Sequence, residues 1–423
     1  MTNAELASPS APAQTPDPRP VAVLLSRFPT VTETFILREV DELERQGQRV
    51  RLVPMLQEHP PVIHDAALPW TERALYTKYL SLPIVLANLR ALLRRPLRYL
   101  SLFVRLFFGT ILRPGTFART IAVFPKSVYL AEKLSREGIR HVHAHFATHP
   151  STMALIIAQL SDITFSFTVH AHDIQLDRSL LGWKLRETRF VRSISDYNKR
   201  FLEQLYPQSR GKIMVVHVGI EPETYEASAR RFANVTTGIP KVLCVAAHRP
   251  YKGLPVLIEA CRILRDQGLH FRCDVLGHGP MRDELEKMIH DRGVERVIHL
   301  LGAKPEHVVA EMMGEATLFV LPSIIAKDGQ MEGIPVVLME AMASSKAVVS
   351  TSISGIPELV EDGVTGLLVP PGDAQALAAA MRTLLEDKPR AQQMGRRGQE
   401  KVRAEFTLST CVAQLLARLE RES

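Results

Sequence analysis

The sequence predicts an α/β protein with two doubly wound parallel domains that face each other across a cleft. Short apolar runs rich in β-branched residues alternate with amphipathic segments of helical length, in one series that begins at Val21 and another that begins at Lys241. The length of 423 residues also favours two hydrophobic cores over one. In open parallel sheets of this kind, ligands bind at the carboxyl ends of the strands.

The N-terminal series opens as a βαβ unit. VAVLL is a strand, TFILREVDELERQG has the apolar spacing of a helix that ends at Gly47, and VRLVPM is a second strand. The N-terminal domain is assigned to residues 19–228, after a leader over 1–18 that we expect to be disordered because it lacks an apolar run. Further strands are predicted at residues 141–146, 165–170, 190–195 and 212–217.

The C-terminal series is predicted to form a second domain over residues 236–402. Its strands are KVLCVAA, FRCDVLG, VIHLLG, ATLFVLPS and AVVST, with helical segments such as GLPVLIEACRILRDQG between them. The polar residues from about 223 to 239 have the composition of a linker. A last helix is expected within 403–423.

The composition excludes several classes of protein. Hydrophobic residues make up 46% of the chain and charged residues 23%, unlike collagen, a disordered polymer or a disulfide-rich miniprotein. The four cysteines lack Cys-x-x-Cys spacing, so we expect buried thiols in a reducing compartment. No secretory signal is apparent, and no apolar run approaches the roughly 18 residues of a transmembrane helix. We therefore expect a cytoplasmic location.

One segment, residues 84–136, departs from this alternation. Leu, Phe, Ile and Val fill the spaces between ten basic residues, which face the single acid Glu132. A cationic amphipathic helix of this kind binds in a membrane interface, whereas the alternative is a helical insertion whose apolar face packs on its own domain. We expect contact with an anionic membrane surface. The basic residues are Arg90, Arg94, Arg95, Arg98, Arg105, Arg113, Arg119, Lys126, Lys133 and Arg136.

The stretch MEGIPVVLMEAMASS, residues 331–345, is the strongest candidate for a ligand site. Pro335 suits the first turn of a helix, whose free N–H groups and partial positive charge attract phosphate. Gly333 permits close approach of the backbone to a ligand. Glu332 precedes the helix and Glu340 lies about 7 Å along its axis, so the two carboxylates can bind hydroxyl groups on either side of a diphosphate. A capping glutamate and a solvated helix residue are the structural alternative.

Several motifs, in order along the chain, resemble the retaining glycosyltransferases of family 4, which have the GT-B fold. In the C-terminal half they are HRPYKGLPVLIEA, VLGHGPMRDELE, EGIPVVLMEAMA and SGIPELVEDGVTGLLVPPGD. In the N-terminal half, FPTVTETFILREV, HAHF with FTVHAHDI, SISDYNKRFL and VVHVGIEPETY are similar to the exopolysaccharide or colanic-acid-type branch. The resemblance covers nearly the whole chain except the leader and the basic segment. It also implies that the last helix crosses back to the N-terminal domain.

This resemblance implies a retaining transfer of sugar from a nucleoside-diphosphate sugar to a lipid-linked or polysaccharide acceptor, in cell-surface or exopolysaccharide biosynthesis. Glu332 then holds sugar hydroxyls, Glu340 holds the ribose, and His170 contacts the transferred sugar. The predicted catalytic residues are Glu332, His170, Arg249 and Lys252. The predicted donor-binding residues are Gly219, Arg249, Lys252, Gly277, Gly279, Glu332, Gly333, Ile334, Pro335, Val336 and Glu340.

The mechanism predicted from charge is a clamp on the leaving diphosphate. Arg249, Lys252 and the helix that begins near Pro335 stabilise the negative charge that grows on the departing group. We expect no metal or other cofactor, because fixed cations do the neutralising. The sequence departs from the family in two respects. The usual Gly-Arg before Lys-Gly is replaced by Ala246 and Ala247, so Arg249 is the available arginine. Ser345 and Ala347 stand where Gly and Pro are usual, which we expect to affect packing only.

Candidate acceptor residues come from the N-terminal domain. Glu33 and Thr34 follow the first strand, and His172 and Asp173 follow the strand that ends near His170, so all should lie at the cleft. A helix-start glutamate and a core histidine are the structural alternatives, and orienting a histidine is the alternative role for Asp173. Three alternating histidines at 141, 143 and 145 share one face of a strand; a metal site there is possible in principle, but we expect a polar strand end.

Two other functions remain as alternatives. A nucleotide-sugar epimerase or hydrolase can use the same double-Rossmann plan but gives no reason for the basic segment. A non-catalytic sugar-nucleotide-binding scaffold would not need the intact set Glu332, Glu340, Arg249 and Lys252. A carboxylate nucleophile, as in retaining glycosidases, is a further mechanism; the family resemblance instead implies front-face attack. The donor base, the sugar and the acceptor are not indicated by the sequence.

Overall fold

A computed structural model describes residues 19–30, 34–59, 67–175, 177–232 and 238–422, with only the backbone described for Thr34 and His172. Two parallel six-stranded sheets form its frame, in the order β2-β1-β3-β4-β5-β6 and β12-β11-β10-β7-β8-β9. The first strand of each series, β1 or β7, lies inside its sheet, and later strands are added on both sides of it. The point where the strand order reverses is where such sheets bind ligands, at the carboxyl ends of the strands. Both predicted sheets are therefore confirmed. The predicted leader lies outside the described residues.

The N-terminal sheet is covered by helices on both faces. Apolar β3 and β4 residues such as Val142 and Phe167 are fully buried between these layers, as expected for a parallel sheet. The strands are β1 (Val21–Phe28), β2 (Val50–Gln57), β3 (His141–His145), β4 (Thr164–Val169), β5 (Val191–Ser193) and β6 (Ile213–Val215). The helices are α1 (Thr34–Arg45), α2 (Leu68–Arg73), α3 (Leu82–Arg94), α4 (Pro96–Thr110), α5 (Pro114–Arg136), α6 (His149–Leu160), α7 (His172–Gln175), α8 (Leu181–Glu187) and α9 (Asp196–Leu205).

The C-terminal sheet has the same layered construction. Its strands are β7 (Lys241–Val245), β8 (Arg272–Leu276), β9 (Ile298–Gly302), β10 (Leu318–Leu321), β11 (Ala347–Thr351) and β12 (Gly366–Val369). The helices that follow β6 are α10 (Glu223–Phe232), α11 (Leu254–Asp266), α12 (Arg282–Asp291), α13 (Glu306–Glu315), α14 (Val336–Ala343), α15 (Ile356–Leu359), α16 (Ala374–Glu386), α17 (Lys388–Glu405) and α18 (Leu408–Leu419).

The segment predicted as a linker is largely helical, which corrects the expectation from its polar composition. Within α10, Tyr225 and Ser228 are buried, and the Ser228 hydroxyl donates to the Ala310 carbonyl of α13. A Cβ atom at Gly314 would lie 2.3 Å from Ser228 Oγ, so the two helices approach through small residues. The polar composition gave no sign that Tyr225 and Ser228 form a packed face of this helix.

The last helix packs on the N-terminal domain. In α18, Val412, Leu415 and Leu419 form a buried cluster with Val21 and Phe190 of the first sheet. The link between the domains is a short parallel bridge, in which Ile220 N–H donates to Phe406 O and Leu408 N–H donates to Ile220 O.

Gly219 precedes Ile220 in this bridge, and the C-terminal segment passes directly against it. A Cβ atom there would lie 2.5 Å from Thr407 O and 2.6 Å from Leu408 N, inside the contact distance of any side chain. The structure thus shows a close backbone approach between Gly219 and the C-terminal segment, and the predicted contact with the donor stays a prediction.

The basic segment forms α3, α4 and α5, but its second half is core. Lys126 is buried and its Nζ donates to Met55 O, and burial lowers its pKa to about 8. Glu132 pairs with both Arg90 and Arg136. The amphipathic surface predicted over 84–136 is therefore confined to α3, α4 and the start of α5. Among the described helices, none has the length and apolar content needed to cross a bilayer.

We predict that Gly219→Ala destabilises the protein by about 1–3 kcal/mol, because the added methyl group would press on the backbone at 407–408. Thermal or urea unfolding measures the change. Gly115→Ala is the matched control, since nothing lies within 4 Å of a Cβ atom at that position. Equal stability of the two variants would contradict this account of the bridge.

Candidate active site

The loops that follow β7 and β10 meet at the carboxyl edge of the C-terminal sheet. Ile324 N–H donates to Tyr251 O at 2.9 Å. Gly253 has a φ of 68°, in the left-handed region that favours glycine, and a Cβ atom there would lie 1.8 Å from Pro322 O. Glycine therefore lets the turn that carries Lys252 lie directly against the start of the loop that carries Glu332.

Lys252 and Glu332 form an ion pair, with 14% of each side chain exposed. Burial alone lowers the pKa of Lys252, but the charge of Glu332 and a hydrogen bond to it outweigh burial, so the pKa is raised. Lys252 is thus a fixed cation in a place with little water. The prediction that these two side chains share one site agrees with this geometry.

The segment between Glu332 and α14 faces the N-terminal domain. A Cβ atom at Gly333 would lie 2.9 Å from His170 O and 3.0 Å from Ile194 Cδ1. Pro335 is the N-cap residue, and α14 begins at Val336, as the sequence predicted to within a residue. Ile334 is buried beneath this turn. The structure therefore brings Lys252, Glu332 and the helix start to the cleft beside His170.

Glu340 lies deeper in the cleft, next to an ion pair that joins the domains. Arg38 of α1 donates to both carboxylate oxygens of Glu306, at 2.7 and 2.8 Å. The Tyr225 hydroxyl donates to Glu306 at 3.3 Å and also hydrogen-bonds to Glu340. Burial raises the pKa of Glu340 to about 7, and the charge of Glu306 adds to this, against the opposing effects of Tyr225 and Arg38. Glu340 is therefore not a simple solvated helix residue.

His170 ends β4 in an aromatic setting. Its ring centroid lies 4.5 Å from that of Phe146 and 5.3 Å from that of Phe35. Its Nε2 lies 3.4 Å from Nδ1 of His145, and the residue is 9% exposed. The imidazole is therefore held by its neighbours.

Asp173 is not placed to bind an acceptor, which corrects the prediction. It is 1% exposed. Its Oδ1 accepts from the backbone N–H groups of His170 and Ala171, and its Oδ2 accepts from Ala147 N–H. Ala171 has a φ of 141°, a region unfavourable for alanine, so the carboxylate holds a strained turn after β4. Of the other predicted acceptor residues, Glu33 and the side chains of Thr34 and His172 lie outside the described structure.

The remaining predicted donor residues differ in what the structure shows of them. Arg249 is exposed, and its side chain has no partner within the described residues. Gly277 and Gly279 lie against the end of β7, because Cβ atoms there would be 2.0 Å from Ala246 O and 2.7 Å from His248 O. These two glycines allow the loops after β7 and β8 to pack together.

Two of the three histidines of β3 bond to hydroxyl groups, and the third, His145, lies against His170. Both ring nitrogens of His141 lie 2.7 Å from Thr164 and Ser166 hydroxyls, and those of His143 lie 2.8 Å from Ser166 and Thr168 hydroxyls. Within the described residues, no group of three or more His, Cys, Asp or Glu side chains is placed to hold a metal. The polar face of β3 is a hydrogen-bonded ladder to β4.

Contacts that join the two domains were missed by sequence reasoning. Glu358 of α15 accepts from the backbone N–H groups of Asp196 and Tyr197, both at 2.8 Å, and so caps α9 from the other domain. The Arg38–Glu306 pair is the second such contact. Neither contact could be recognised from neighbouring residues, because its partners are far apart in the sequence. Glu358 does lie in one of the motifs that resemble the family.

Comparisons with known proteins agree with this architecture. The family model "Glycosyltransferase Family 4" matches residues 32–224, and "Glycosyl transferases group 1" matches residues 227–401. The chain belongs to the group 1 glycosyltransferases. The predicted family is thereby confirmed.

Two curated members of this glycosyltransferase family are similar to part of the chain. The amylovoran biosynthesis glycosyltransferase AmsK of Erwinia amylovora is 42% identical over 210 residues, which are 50% of this chain and 51% of that protein. The putative colanic acid biosynthesis glycosyltransferase WcaL of Salmonella typhimurium is 43% identical over 211 residues, 49% of this chain and 51% of that one. The chain spans about half the length of these relatives. They lie in the branch that the N-terminal motifs resemble.

A solved structure shares the fold over almost the whole chain. Anabaena Alr3699/HepE, crystallised with UDP and glucose, superposes with a TM-score of 0.64 and 18% sequence identity, covering 95% of this chain and all of the other. At this identity the likeness establishes the fold alone. The two sheets of this glycosyltransferase thus have the GT-B arrangement that the sequence predicted.

We predict that Glu340→Gln is more stable than the wild type by an amount that increases as the pH rises from 4.5 to 7. The pKa of this carboxyl group rises from 4.5 to about 7 on folding. The free energy of unfolding therefore decreases across this pH window, because the unfolded chain releases the proton at a lower pH than the folded protein does. The variant has no carboxyl group and lacks this loss, so its advantage over the wild type should grow by about 3 kcal/mol between pH 4.5 and values above pH 7. Melting temperatures from pH 4.5 to 8 measure it.

The exposed Glu386→Gln is the control for that series. Its side chain forms a surface pair with Arg382, which contributes little to stability at any of these pH values. A constant difference between Glu340→Gln and the wild type across the pH range would show that Glu340 titrates normally in the folded protein.

Proposed function

We propose that this chain is a retaining glycosyltransferase that moves a sugar from a nucleoside-diphosphate sugar to a lipid-linked or polysaccharide acceptor in exopolysaccharide or cell-surface biosynthesis. The observation that carries the proposal is the Lys252–Glu332 ion pair shortly before α14, next to Gly333, which lies against the backbone of His170. The AmsK and WcaL relatives support the exopolysaccharide class.

Lys252 and the N-terminus of α14 would bind the diphosphate. Departure of the nucleoside diphosphate leaves negative charge on the phosphate oxygens, and a partly buried cation next to free helix N–H groups stabilises that charge. The contribution to rate is the part that grows between the ground state and the transition state, at tenfold for about 1.4 kcal/mol. Arg249 is exposed beside this turn and would bind the same group when the donor is present.

Glu332 would bind hydroxyl groups of the transferred sugar while it orients Lys252. Its carboxylate is committed to the lysine, which favours a binding role over that of a covalent nucleophile. The acceptor hydroxyl then attacks from the face that the diphosphate leaves, and the departing phosphate takes its proton. In this scheme the donor is the only small-molecule requirement, with no separate cofactor.

Glu340 would bind the ribose of the donor. Its hydrogen bond to Tyr225 and its raised pKa fit a carboxyl group that exchanges hydrogen bonds with a ligand's hydroxyls in a poorly solvated cleft. Uridine is the first base to test, because the fold neighbour from Anabaena was crystallised with UDP.

We predict that Glu332→Ala lowers sugar transfer at least a hundredfold while the dissociation constant for the nucleoside diphosphate changes only a few fold. The variant loses a contact to the sugar but keeps Lys252, whose charge the bound diphosphate then stabilises in place of Glu332. Transfer of radiolabelled sugar to a membrane lipid extract, with a screen of UDP-, GDP- and ADP-sugars, measures turnover, and calorimetry measures binding.

The control for this experiment is Glu386→Ala, which removes an exposed carboxylate on α16. Near-normal transfer by Glu332→Ala would remove Glu332 from the site. Donor breakdown without acceptor would favour the hydrolase alternative, and nucleotide binding with neither reaction would favour the scaffold.

The same enzyme would work at the cytoplasmic face of an anionic membrane. The helices α3 and α4 and the turn after them expose large apolar side chains: Leu82, Leu93, Leu97, Phe108 and Leu112 are each between 71% and 91% exposed. Soluble proteins rarely leave so many large apolar residues open in one region. Such a surface inserts into the interfacial layer of a bilayer, where a lipid-linked acceptor resides.

Cations border this apolar surface. Arg94, Arg95 and Arg98 are exposed and have no ion-pair partner among the described residues. By contrast, Arg90 is paired with Glu132, and Arg105 stacks over Trp183 at 4.3 Å. The three open arginines lie at the α3–α4 turn, where they can approach lipid phosphates.

We predict that the triple change Arg94→Gln, Arg95→Gln and Arg98→Gln weakens binding to phosphatidylglycerol vesicles about a hundredfold, since each base near an anionic surface contributes about 1 kcal/mol. Vesicle sedimentation at fixed ionic strength measures it. The matched control changes Arg390, Arg396 and Arg397 of α17, which are also exposed. Equal partitioning of both triple variants would contradict a membrane-binding role for α3 and α4.

A further inference from the structure

A polar pocket with a volume of about 290 Å³ lies on the N-terminal domain between α4, α6 and α8. Arg105 of α4 lies over the ring of Trp183, 4.3 Å from its centroid. Arg98 lines the same pocket two turns earlier on α4. The other lining residues are Ser101, Leu102, Ala158 and Gln159. All of them differ from the residues of the candidate active site.

The pocket carries positive charge without a counter-ion of its own. In the described part of the chain, the guanidinium groups of Arg98 and Arg105 form no ion pair or hydrogen bond. Gln159 donates to Glu187 at 3.3 Å, but that carboxylate is itself paired with Arg186 at 3.2 Å. Two guanidinium groups that line one pocket attract an anion, and their planar forks match the oxygen atoms of a phosphate.

Trp183 brings a donor that has no acceptor. Its indole Nε1 is buried and lacks a hydrogen-bond partner among the residues that the structure describes. An unsatisfied buried N–H group costs free energy, and an indole N–H can only donate. An oxygen atom in the pocket that Trp183 lines is the kind of acceptor this group requires. The donors of the pocket therefore favour an anion with several oxygen atoms.

The pocket adjoins the exposed apolar surface of α4. Four large apolar residues on one face of this helix are between 47% and 82% exposed: Leu97, Leu100, Val104 and Phe108. Arg98 and Arg105 each follow a member of this row by one residue, so they lie about 100° further round the helix. When the apolar row points into a bilayer, the two arginines lie beside it, at the depth of the lipid phosphates.

The pocket also lies away from the candidate active site. Helix α6 begins at His149, shortly after β3 reaches the carboxyl edge of the sheet, and Gln159 is near its other end. At 1.5 Å per residue, Gln159 is about 15 Å from the start of the helix. A phosphate bound here is remote from the Lys252–Glu332 pair, so this site fits a lipid of the bilayer better than the reacting end of an acceptor.

We propose that Arg98, Arg105 and Trp183 bind the phosphate group of one membrane phospholipid, whose acyl chains lie along the apolar row of α4. This inference rests on the membrane contact proposed for α3 and α4 and adds a defined binding site to it. General attraction to a charged surface treats all exposed arginines alike, whereas this site requires the arginines that line the pocket. The bound lipid fixes the orientation of α4, and with it the N-terminal domain, on the bilayer.

Dihexanoyl phosphatidylglycerol below its critical micelle concentration tests the site without a membrane surface. The chain has two tryptophans, and Trp70 donates to Asp41 of α1, outside the pocket. Tryptophan fluorescence should therefore change saturably, with one lipid bound per chain, and Trp183→Phe should abolish the change. A wild type that shows no saturable change would overturn the inference.

The matched variants are Arg105→Gln and Arg94→Gln, each of which removes one exposed charge from the same helical segment. We expect Arg105→Gln to weaken lipid binding about tenfold, the loss of one charge-assisted hydrogen bond, and Arg94→Gln, which lies outside the pocket, to leave it unchanged. Arg105→Lys keeps the charge but loses the planar fork, so it should restore only part of the affinity. Equal affinities of Arg105→Gln and Arg94→Gln would overturn the site.

Inorganic phosphate at the same ionic strength distinguishes a lipid site from a site for a free anion. We expect half-saturation to need about a tenfold higher concentration of phosphate than of lipid, because phosphate lacks the acyl chains that contact α4. Phosphate that binds as tightly as the lipid would overturn the lipid assignment. These measurements use neither donor nor acceptor, so their outcome is independent of what Glu332→Ala shows for the transferase.

Discussion

A lysine and a glutamate that neutralise each other at the edge of the C-terminal sheet form the ion pair on which the proposed site depends. Lys252 and Glu332 come from loops 80 residues apart, and they meet because β7 and β10 are neighbours in the sheet and Gly253 lets their loops touch. An isolated ammonium ion in this partly buried position would be costly. The carboxylate keeps the cation charged and in place, and a diphosphate would share it.

The N-terminal domain completes this arrangement through three kinds of contact. His170 O lies against Gly333, Arg38 pairs with Glu306, and Glu358 caps α9. In each contact at least one partner lies at the end of a parallel strand or at a helix terminus, which is where two doubly wound sheets present polar groups. The return of α18 to the first sheet ties the domains a second time. The cleft is therefore bounded by rigid elements on both sides.

The sequence predicted those features that have local signals. Apolar runs marked the strands, and proline with glycine and glutamate marked the start of α14, because strand and helix periodicity act over neighbouring residues. Features that depend on residues far apart were missed. Asp173 was taken for an acceptor ligand but holds a strained turn, Lys126 was taken for a surface base but is buried, and α10 was taken for a linker. An arginine within the apolar strand FVRSIS was the available sign of the buried Glu39–Arg192 pair.

The most direct measurement is the affinity of the protein for UDP, GDP and ADP against that for the matching monophosphates, in wild type and Lys252→Met. If Lys252 and the start of α14 bind the second phosphate, the wild type should prefer the matching diphosphate by at least tenfold, and the variant should lose this preference while it still binds the monophosphate. A diphosphate preference that survives the loss of Lys252 would contradict the account.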